Sequence, residues 1–549
     1  MISLSKVKKI IHERLARREI NLQVRHMAAQ VNAQAHSKPE AKPVALFNAS
    51  TRLVGMSLNG GFSLLTSWAL RLQNVPVLHF VCQAGMTRCV LGTDRNDFSK
   101  SPPCQACMAQ SRWFYSSTDV VPFSYQEDGK LIEALRELTL NQLMGFEYST
   151  TIGSAQDTTP ASLPLGVLVL PSIRWVLRRH HLLDDEATRF LYRQYIVSAH
   201  RVAHEFASFL DKTNPQAVIV FNGQFFPEAT VRWLSLQRGI RTITHEVGLQ
   251  PFSAFFTTGE ATAYPLHVPD DFELNPEQDK RLDAYLSQRF QGQFSMAGVR
   301  FWPEMQGLNE DFIRKTAGFK QIVPVFTNVI FDTSQPHSNV VFPHMFAWLD
   351  MVLQIILEHP ETLFVIRAHP DESRPGKASQ ESVSQWVSQK DVGSIPNLIF
   401  VDSHQSLSSY ELIQRSKFVM VYNSTIGLEA SILGVPVLCA GRARFTQLPT
   451  VFFPGTAQEY HDQAEAFLET PHISLPAEFK RNARRFLYYQ LFRSSLPFGD
   501  YLEEDEIWPG FVRLKDFGPQ ALLPSTSPAI KTILEGILEN GDFLLESDL

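Results

Sequence analysis

The sequence has little cysteine, no long hydrophobic run and no excess of basic residues, and each shortage excludes a class of protein. Five cysteines in 549 residues are too few for a disulfide scaffold. The longest apolar stretch, residues 163–173, is interrupted by proline and falls short of the roughly 20 residues that cross a bilayer. The N-terminus lacks the apolar segment of a secretory signal. We therefore expect a cytoplasmic protein.

The charge balance also argues against nucleic acid as a partner. The formal net charge is −6, so no overall basic field would attract a phosphate backbone. Hydrophobic residues make up 44% and charged residues 19% of the chain, which is an ordinary balance for globular protein and excludes a disordered one. At about 150 residues per domain, the length predicts two to four domains.

The first 25 residues predict a basic amphipathic helix. Lysine and arginine dominate this segment, and Leu4, Val7, Ile11, Leu15 and Leu22 recur at helical spacing. Such a helix can lie on an anionic membrane surface, or it can pack on the protein body with its basic face in water. Both interpretations remain open at this point.

Strand and helix patterns alternate in two separate blocks, which predicts two parallel α/β sheets. The first block includes a loop with Gly60 and Gly61, read either as a tight turn or as a place where the backbone approaches a sugar. A polar-aromatic helical segment closes the chain. The predicted organisation is an N-terminal helix and linker, a first Rossmann-like domain, a connecting segment, a second Rossmann-like domain and C-terminal helices, at residues 1–40, 41–265, 266–318, 319–470 and 471–549.

The strongest motif lies in residues 418–441, where a buried strand runs into Asn423, Ser424 and Thr425 and a helix follows. Free N–H groups at a helix start, together with hydroxyl donors, favour a phosphate. Glu429 on this helix could accept hydrogen bonds from ribose hydroxyls. The structural alternative is that Ser424 or Thr425 caps the helix and Glu429 interacts with its dipole.

A second motif, Arg367-Ala-His369-Pro370-Asp371-Glu372, also follows a predicted strand. Arginine and histidine together can bind a nucleotide phosphate or a sugar carboxylate. Ligands of such folds lie outside the carboxyl ends of the strands, so we expect the two motifs to share one cleft.

These two motifs resemble the bacterial capsule polysaccharide biosynthesis proteins, which are glycosyltransferases of the GT-B fold related in plan to Kdo transferases. The resemblance is good over residues 320–445 and looser over the earlier VIVFNGQFFPEATVRWLSLQRGIRTITHEVG. It implies two Rossmann-like domains facing a cleft. It also implies a nucleotide-sugar donor held by Arg367, His369, Ser424, Thr425 and Glu429, to which the phosphate motif adds Asn423.

The same resemblance implies that the N-terminal half binds the acceptor, a glycan or glycolipid. If the basic helix of residues 1–25 contacts lipid, we expect the protein at the inner face of the membrane. Direct displacement needs a general base near the acceptor hydroxyl. Glu246 is the first candidate and His245 the second, because both follow a predicted strand. A structural hydrogen-bonding role for this pair is the alternative.

Four of the five cysteines gather in 26 residues, with the spacing C-x6-C-x14-C-x2-C: Cys82, Cys89, Cys104 and Cys107. Four thiolates suit a closed tetrahedral zinc site. An iron–sulfur cluster and unliganded thiols are the other interpretations.

Two other functions compete with glycosyl transfer. A sugar-nucleotide 2-epimerase uses a similar two-domain plan, and a non-catalytic subunit of polysaccharide assembly could keep the same fold. Ligand-dependent melting with a panel of sugar nucleotides, followed by product analysis, would separate these functions.

Overall fold

The computed structural model describes residues 4–36, 40–48, 55–151, 160–290 and 307–546. They form two α/β units, as the alternating patterns predict. In chain order the strands are β1 Val44–Phe47, β2 Val77–Cys82, β3 Asp119–Phe123, β4 Tyr148–Thr151, β5 Pro160–Leu163, β6 Ala217–Phe221, β7 Arg241–Val247, β8 Ser253–Thr257, β9 Gln321–Phe326, β10 Thr362–Arg367, β11 Leu398–Val401, β12 Val419–Val421, β13 Val437–Cys439, β14 Leu496–Pro497, β15 Leu502–Glu504 and β16 Val512–Leu514.

Helices separate most of these strands. They are α1 Leu4–Gln34, α2 Leu58–Leu72, α3 Cys104–Phe114, α4 Gly129–Leu135, α5 Leu140–Met144, α6 Leu165–Leu177, α7 Glu186–Thr213, α8 Glu228–Gln237, α9 Pro276–Phe290, α10 Glu310–Thr316, α11 Gln335–Ser338, α12 Met345–Glu358, α13 Val383–Gln389, α14 Ser409–Gln414, α15 Ile426–Ile432, α16 Ala457–Glu469, α17 Ala477–Tyr488 and α18 Pro528–Leu538.

The first sheet has seven strands in the order β14-β8-β7-β6-β1-β2-β3. Strands β7, β6, β1, β2 and β3 run parallel, whereas β8 pairs antiparallel with both of its neighbours, β7 and β14. Residues 44–47 of β1 are apolar and buried throughout, as expected for a strand covered on both faces. The carboxyl ends of β6 and β7 are level, because Phe221 pairs with His245.

The second sheet is wholly parallel, with five strands in the order β11-β10-β9-β12-β13. Its register is the feature that positions the site. Phe326 of the central strand β9 pairs with Arg367 on one side and with Val421 on the other. The segments that follow these three residues therefore leave the sheet at the same edge.

Gly60 and Gly61 belong to a helix rather than to a loop or a tight turn. Helix α2 begins at Leu58, because the Ser57 side chain accepts a hydrogen bond from the Gly60 N–H at 3.1 Å and caps the helix. Helix α2 therefore begins before both glycines. Neither glycine provides a flexible approach to a ligand.

The C-terminal segment is helical, as predicted, but it also contributes strands. β14 pairs with β8 through Leu496 and Ala254, which covers the edge of the first sheet. β15 and β16 form a small antiparallel sheet. Ile530 and Ile533 of α18 join the core that surrounds Trp68 of α2. After the second unit, the chain therefore returns to the first unit, where β14 and α18 pack.

Helix α1 packs on the first unit through its C-terminal half, where Val24, Ala28 and Val31 are fully buried. Ile11 and Leu15, which belong to the predicted apolar stripe, are 52% and 58% exposed. The helix therefore packs through residues 24–31, which follow most of the predicted apolar stripe. No helix in the described part of the chain is long and apolar enough to span a membrane.

Candidate functional site in the cleft between the sheets

A cleft of about 850 Å³ lies between the two units. Residues of the first unit and of the connecting segment line one side, and segments that follow strands of the second sheet line the other. Its polar, charged and aromatic lining residues include Trp175, Thr262, Arg289, Asp332, His337, Arg367, His369, Asp371, Arg374, Lys377, Tyr410, Asn423, Ser424, Thr425, Glu429, Arg442 and Arg444. The six residues predicted to bind the donor are all among them.

Arg367 is the last residue of β10 and lines the cleft on the side of the second sheet. It is 6% exposed, and within the described residues its Nη1 atom has no hydrogen-bond partner. Burial lowers the pKa of Arg367 to about 10, which leaves the guanidinium charged at neutral pH. A buried, uncompensated cation is costly, and an anionic ligand in the cleft would remove that cost.

His369 follows Arg367 and caps the short turn Pro370–Ser373. Its Nδ1 accepts a hydrogen bond from the Asp371 N–H at 3.2 Å, so the proton of the neutral ring lies on Nε2. Burial lowers the pKa of His369, Asp371 and Asp332 oppose this shift, and Arg367 adds to it. At neutral pH the ring is therefore a neutral hydrogen-bond donor beside the Arg367 guanidinium.

Asn423, in the segment after β12, is hydrogen-bonded to the segment that follows β9. Its Nδ2 donates to Ser338 Oγ at 2.6 Å, and its Oδ1 accepts from Asn328 Nδ2 at 2.7 Å. Ser424 is buried, whereas Thr425 is exposed at the start of α15 and makes no capping hydrogen bond with its side chain. The Thr425 hydroxyl is therefore not used by the helix cap, which was the structural alternative for this residue.

Glu429 lines the cleft but is held by protein groups. Arg289 Nε donates to its Oε1 at 2.6 Å, and the Tyr410 hydroxyl donates to its Oε2 at 2.6 Å. Burial disfavours the charge on Arg289, but the Glu429 carboxylate, together with Tyr285 and Tyr410, outweighs this effect and raises the pKa of Arg289. The geometry gives Glu429 a positioning role between α9, α14 and α15, which differs from the predicted contact with ribose.

Glu246 and His245 lie at the carboxyl edge of β7, outside the residues that line the cleft. Glu246 accepts hydrogen bonds from Asn222 Nδ2 at 2.8 Å and from Asn59 Nδ2 at 3.1 Å. Burial raises its pKa, while these hydrogen bonds and the Arg444 charge act in the opposite direction. Arg444 lines the cleft, so Glu246 is electrostatically coupled to a cleft residue although it does not itself line the cleft.

His245 is more deeply enclosed. It is 2% exposed, its ring centre lies 5.3 Å from that of Phe256, and burial lowers its pKa to about 3. Its Nδ1 lies 3.2 Å from Asn59 Oδ1. Both neighbouring residues thus contact Asn59, whereas strict alternation along a strand would separate them.

His337, Arg442 and Arg444 line the cleft but were not predicted from the sequence. His337 Nε2 lies 3.1 Å from Glu260 Oε2 and 3.0 Å from Thr262 Oγ1, so it joins the two units across the cleft. No motif marks it, because it lies eleven residues after the end of β9. Arg442 and Arg444, in contrast, closely follow β13, and the rule that ligands lie at strand ends could have found them.

The cleft carries an excess of positive charge. Six lysine and arginine side chains line it, against three carboxylates. Two of these groups, Arg289 and Glu429, form an ion pair and neutralise each other. The remaining balance favours an anionic ligand beside Arg367, Arg442 and Arg444.

The four clustered cysteines lie in the first unit and do not line the cleft. None of the four forms a disulfide with another described residue. Among the described residues, one group of three metal-ligating side chains has its ligand atoms within 4.8 Å of one another, namely Glu358, His461 and Glu465. It also lies outside the cleft and is partly exposed.

Residues 307–459 match the model of a family described as capsule polysaccharide biosynthesis protein. The matched segment contains all five strands of the second sheet and all six predicted donor-site residues. The resemblance seen in the sequence is therefore confirmed over this segment. Two α/β units that face one cleft are the GT-B arrangement that the resemblance implied.

No curated protein sequence matches the chain. Among solved structures, it is similar to a KpsC β-Kdo 2,4 transferase from Thermosulfurimonas dismutans, with 10% identity, 51% of this chain and 80% of that chain covered, and a TM-score of 0.33. It is also similar to WaaG, a glycosyltransferase involved in lipopolysaccharide biosynthesis, with 11% identity, coverage of 81% and 95%, and a TM-score of 0.30. A Neisseria meningitidis UDP-GlcNAc 2-epimerase shows 10% identity, coverage of 82% and 98%, and a TM-score of 0.23. At TM-scores this low, the likenesses carry no inference about activity.

The buried pair of Arg289 and Glu429 generates a stability prediction. We expect Arg289→Ala to lower the free energy of unfolding by about 3–5 kcal/mol, because it leaves a buried carboxylate without its cation. The matched control is Arg136→Ala, which breaks an ion pair whose side chains are 62% and 65% exposed and should cost at most about 1 kcal/mol. Denaturant unfolding measures both. Equal losses in the two variants would contradict the positioning role of this pair.

Proposed function

We propose that this protein is a glycosyltransferase of capsule or other surface polysaccharide biosynthesis, and that it takes a nucleotide-activated sugar as donor. The observation that carries the proposal is the Arg367 guanidinium, which is buried in the cleft wall without a partner for Nη1 among the described residues. The family match over residues 307–459, which include Arg367, supports the same function.

The donor's phosphate groups would lie against Arg367 and His369. The guanidinium offers charge-assisted hydrogen bonds, and the neutral His369 ring offers its Nε2 proton. Arg442 and Arg444 add positive charge on the adjoining part of the cleft. When the glycosidic bond of the donor breaks, negative charge grows on the leaving phosphate, and cations already in place stabilise it without reorganisation.

The proposed reaction is a direct displacement. A base takes the proton of the acceptor hydroxyl, the hydroxyl oxygen attacks the anomeric carbon, and the nucleotide leaves with the electron pair of the broken bond. Glu246 is the proposed base, because Asn59 and Asn222 orient its carboxylate and burial raises its pKa. Since Glu246 does not line the cleft, it would take the proton through one bridging water. His245, with its pKa lowered to about 3, is too weak a base for this role at neutral pH.

Replacing Arg367 with methionine tests the donor site, because binding and stability should change in opposite directions. We expect Arg367→Met to raise the melting temperature, since it removes a buried uncompensated charge. It should also weaken the binding of a CMP-, UDP-, GDP- or CDP-sugar at least tenfold, which corresponds to about 1.5–3 kcal/mol for hydrogen bonds to a charged group. Calorimetric titration with this panel measures the binding.

Lys130→Ala, which removes an exposed cation that does not line the cleft, is the control and should change neither property. Unchanged binding together with a lower melting temperature would give Arg367 a structural role and remove the donor site. If donor binding is intact but the product is an epimerised sugar nucleotide, the chain is an epimerase rather than a transferase.

Glu246→Gln tests the base. The amide keeps the size of the side chain but cannot take a proton, so transfer should fall on the order of 10²–10⁴-fold while donor binding stays near normal. In the unaltered protein, the raised pKa of Glu246 should place the acidic limb of the pH–rate profile above that of an ordinary glutamate. Asp332→Asn is the comparison, because Asp332 is a carboxylate that does line the cleft. Normal transfer by Glu246→Gln and loss of transfer by Asp332→Asn would assign the base to Asp332.

We further propose a cytoplasmic location at the inner face of the membrane, with α1 as the contact. Its exposed face combines Ile11 and Leu15 with Arg14 and Arg18, a pairing that suits anionic lipid headgroups. A glycolipid acceptor held in the same membrane would then be close to the protein.

Vesicle co-sedimentation of the full chain tests the membrane contact. We expect binding to vesicles that contain phosphatidylglycerol, weak binding to neutral phosphatidylcholine, and loss of binding with added salt. The double variant Ile11→Ser with Leu15→Ser should bind several-fold less. Leu357→Ser, which removes a leucine 61% exposed on α12, is the control. Equal binding by all three proteins would exclude α1 as the contact.

A further inference from the structure

The four clustered cysteines come together around one loop of the first unit. Cys82 is the last residue of β2, Cys89 lies in the loop that follows, and Cys104 and Cys107 occupy the first turn of α3. Their thiols are close enough to act electrostatically on one another. The chain segment before Cys104 also runs directly over the Cys89 loop: a Cβ added at Gly92 would lie 2.7 Å from Pro102 and 3.1 Å from Cys89 Sγ.

Two of these cysteines share one local geometry. Both begin a Cys-x-x-Gly sequence, and in both the glycine N–H donates to the sulfur. The Gly85 N–H lies 3.2 Å from Cys82 Sγ, and the Gly92 N–H lies 3.3 Å from Cys89 Sγ. A backbone donor directed at sulfur stabilises a thiolate, which is the form that binds a metal.

The other two cysteines lie at the positive end of a helix. Cys104 and Cys107 belong to the first turn of the eleven-residue α3, and no acidic side chain lies in that turn. The helix dipole there favours negative charge on both sulfurs. The backbone thus favours thiolates at these positions through two different local structures. Burial acts in the opposite direction and raises the pKa of all four thiols, so they would lose their protons only when a metal binds.

The loop that carries Cys89 is anchored by ordinary protein contacts. Thr87 Oγ1 lies 3.0 Å from Ser198 Oγ, and Thr93 Oγ1 lies 3.0 Å from Tyr195 Oη, both on α7. No three of the four cysteine sulfurs lie within 4.8 Å of one another. A tetrahedral ion would therefore require the sulfurs to move closer to one another.

We propose that Cys82, Cys89, Cys104 and Cys107 bind one zinc ion as four thiolates. Binding forms four Zn–S bonds and releases the four thiol protons to solvent. The site is structural, because four protein ligands close it and none of them lines the cleft.

The bound ion would stabilise a contact between the two units. The loop between Cys89 and Cys104 carries Arg95, whose Nη1 donates to the Gly376 carbonyl at 2.7 Å and whose guanidinium lies 4.7 Å from the centre of the Trp175 ring. Trp175 and Lys377, the residue after Gly376, line the cleft. A zinc ion that fixes this loop would thereby fix one rim of the cleft.

Metal analysis and cobalt spectroscopy of the full chain test the proposal. The protein as purified should contain about one zinc per chain. After zinc is removed with a chelator, added Co²⁺ should give the intense visible d–d bands of a tetrahedral site and a sulfur-to-cobalt charge-transfer band. Both properties belong to the unaltered chain, so they do not depend on a variant that folds.

Variants then assign the ligands. Cys104→Ser and Cys107→Ser should each lose most of the zinc and the charge-transfer band. Cys439→Ser, which alters the fifth cysteine in the second sheet, should retain both. Iron with visible absorption in place of zinc would overturn the assignment of the metal. Absence of metal and of a cobalt spectrum, with four thiols that react freely or with a Cys104–Cys107 disulfide, would overturn the site itself.

Discussion

The parallel pairing of β9 with β10 and β12 is the constraint on which the cleft depends. Phe326 pairs with both Arg367 and Val421, so three chain segments leave the second sheet at one level. Residues far apart in the chain, His369 and Asn423 among them, meet there because the carboxyl ends of parallel strands share an edge. A slip of one residue in either pairing would turn these side chains to the opposite face of the sheet.

Two buried arginines in this cleft show how a partner decides the role of a side chain. Arg289 is bound to Glu429, a carboxylate that also accepts from Tyr410, and the three side chains form a closed arrangement. Within the described residues, the Nη1 atom of Arg367 has no such partner. Burial of both cations is unfavourable, but in the part of the chain that the structure describes only Arg289 has a carboxylate partner. The uncompensated cation is therefore the one that points to a ligand.

Much of this arrangement could be predicted from the sequence, because it depends on local pattern. Runs such as Val44–Phe47 and Thr362–Arg367 are apolar enough to form buried strands, and the residues after them are polar. The strand-end rule then placed Arg367, His369 and Asn423 in one cleft, where the structure has them. The same rule, applied after β13, would also have found Arg442 and Arg444. The prediction of a loop at Gly60 was wrong, because Ser57 caps a helix that begins before this residue.

Other features were decided only by tertiary contacts. The contact of Glu429 with ribose stays a prediction, but its position in the cleft wall depends on Arg289, which lies 140 residues earlier in the chain and donates to its carboxylate. His337 becomes a cleft residue because Glu260 and Thr262 of the other unit meet it. Strand β14 completes a sheet whose other strands all lie at least 239 residues earlier. The sequence by itself determined the strands, the helices and the polar residues at the strand ends, since these follow from spacing and side-chain chemistry. Which charges are compensated, and which remain for a ligand, was decided by long-range packing, because a charge partner need not be near in the chain.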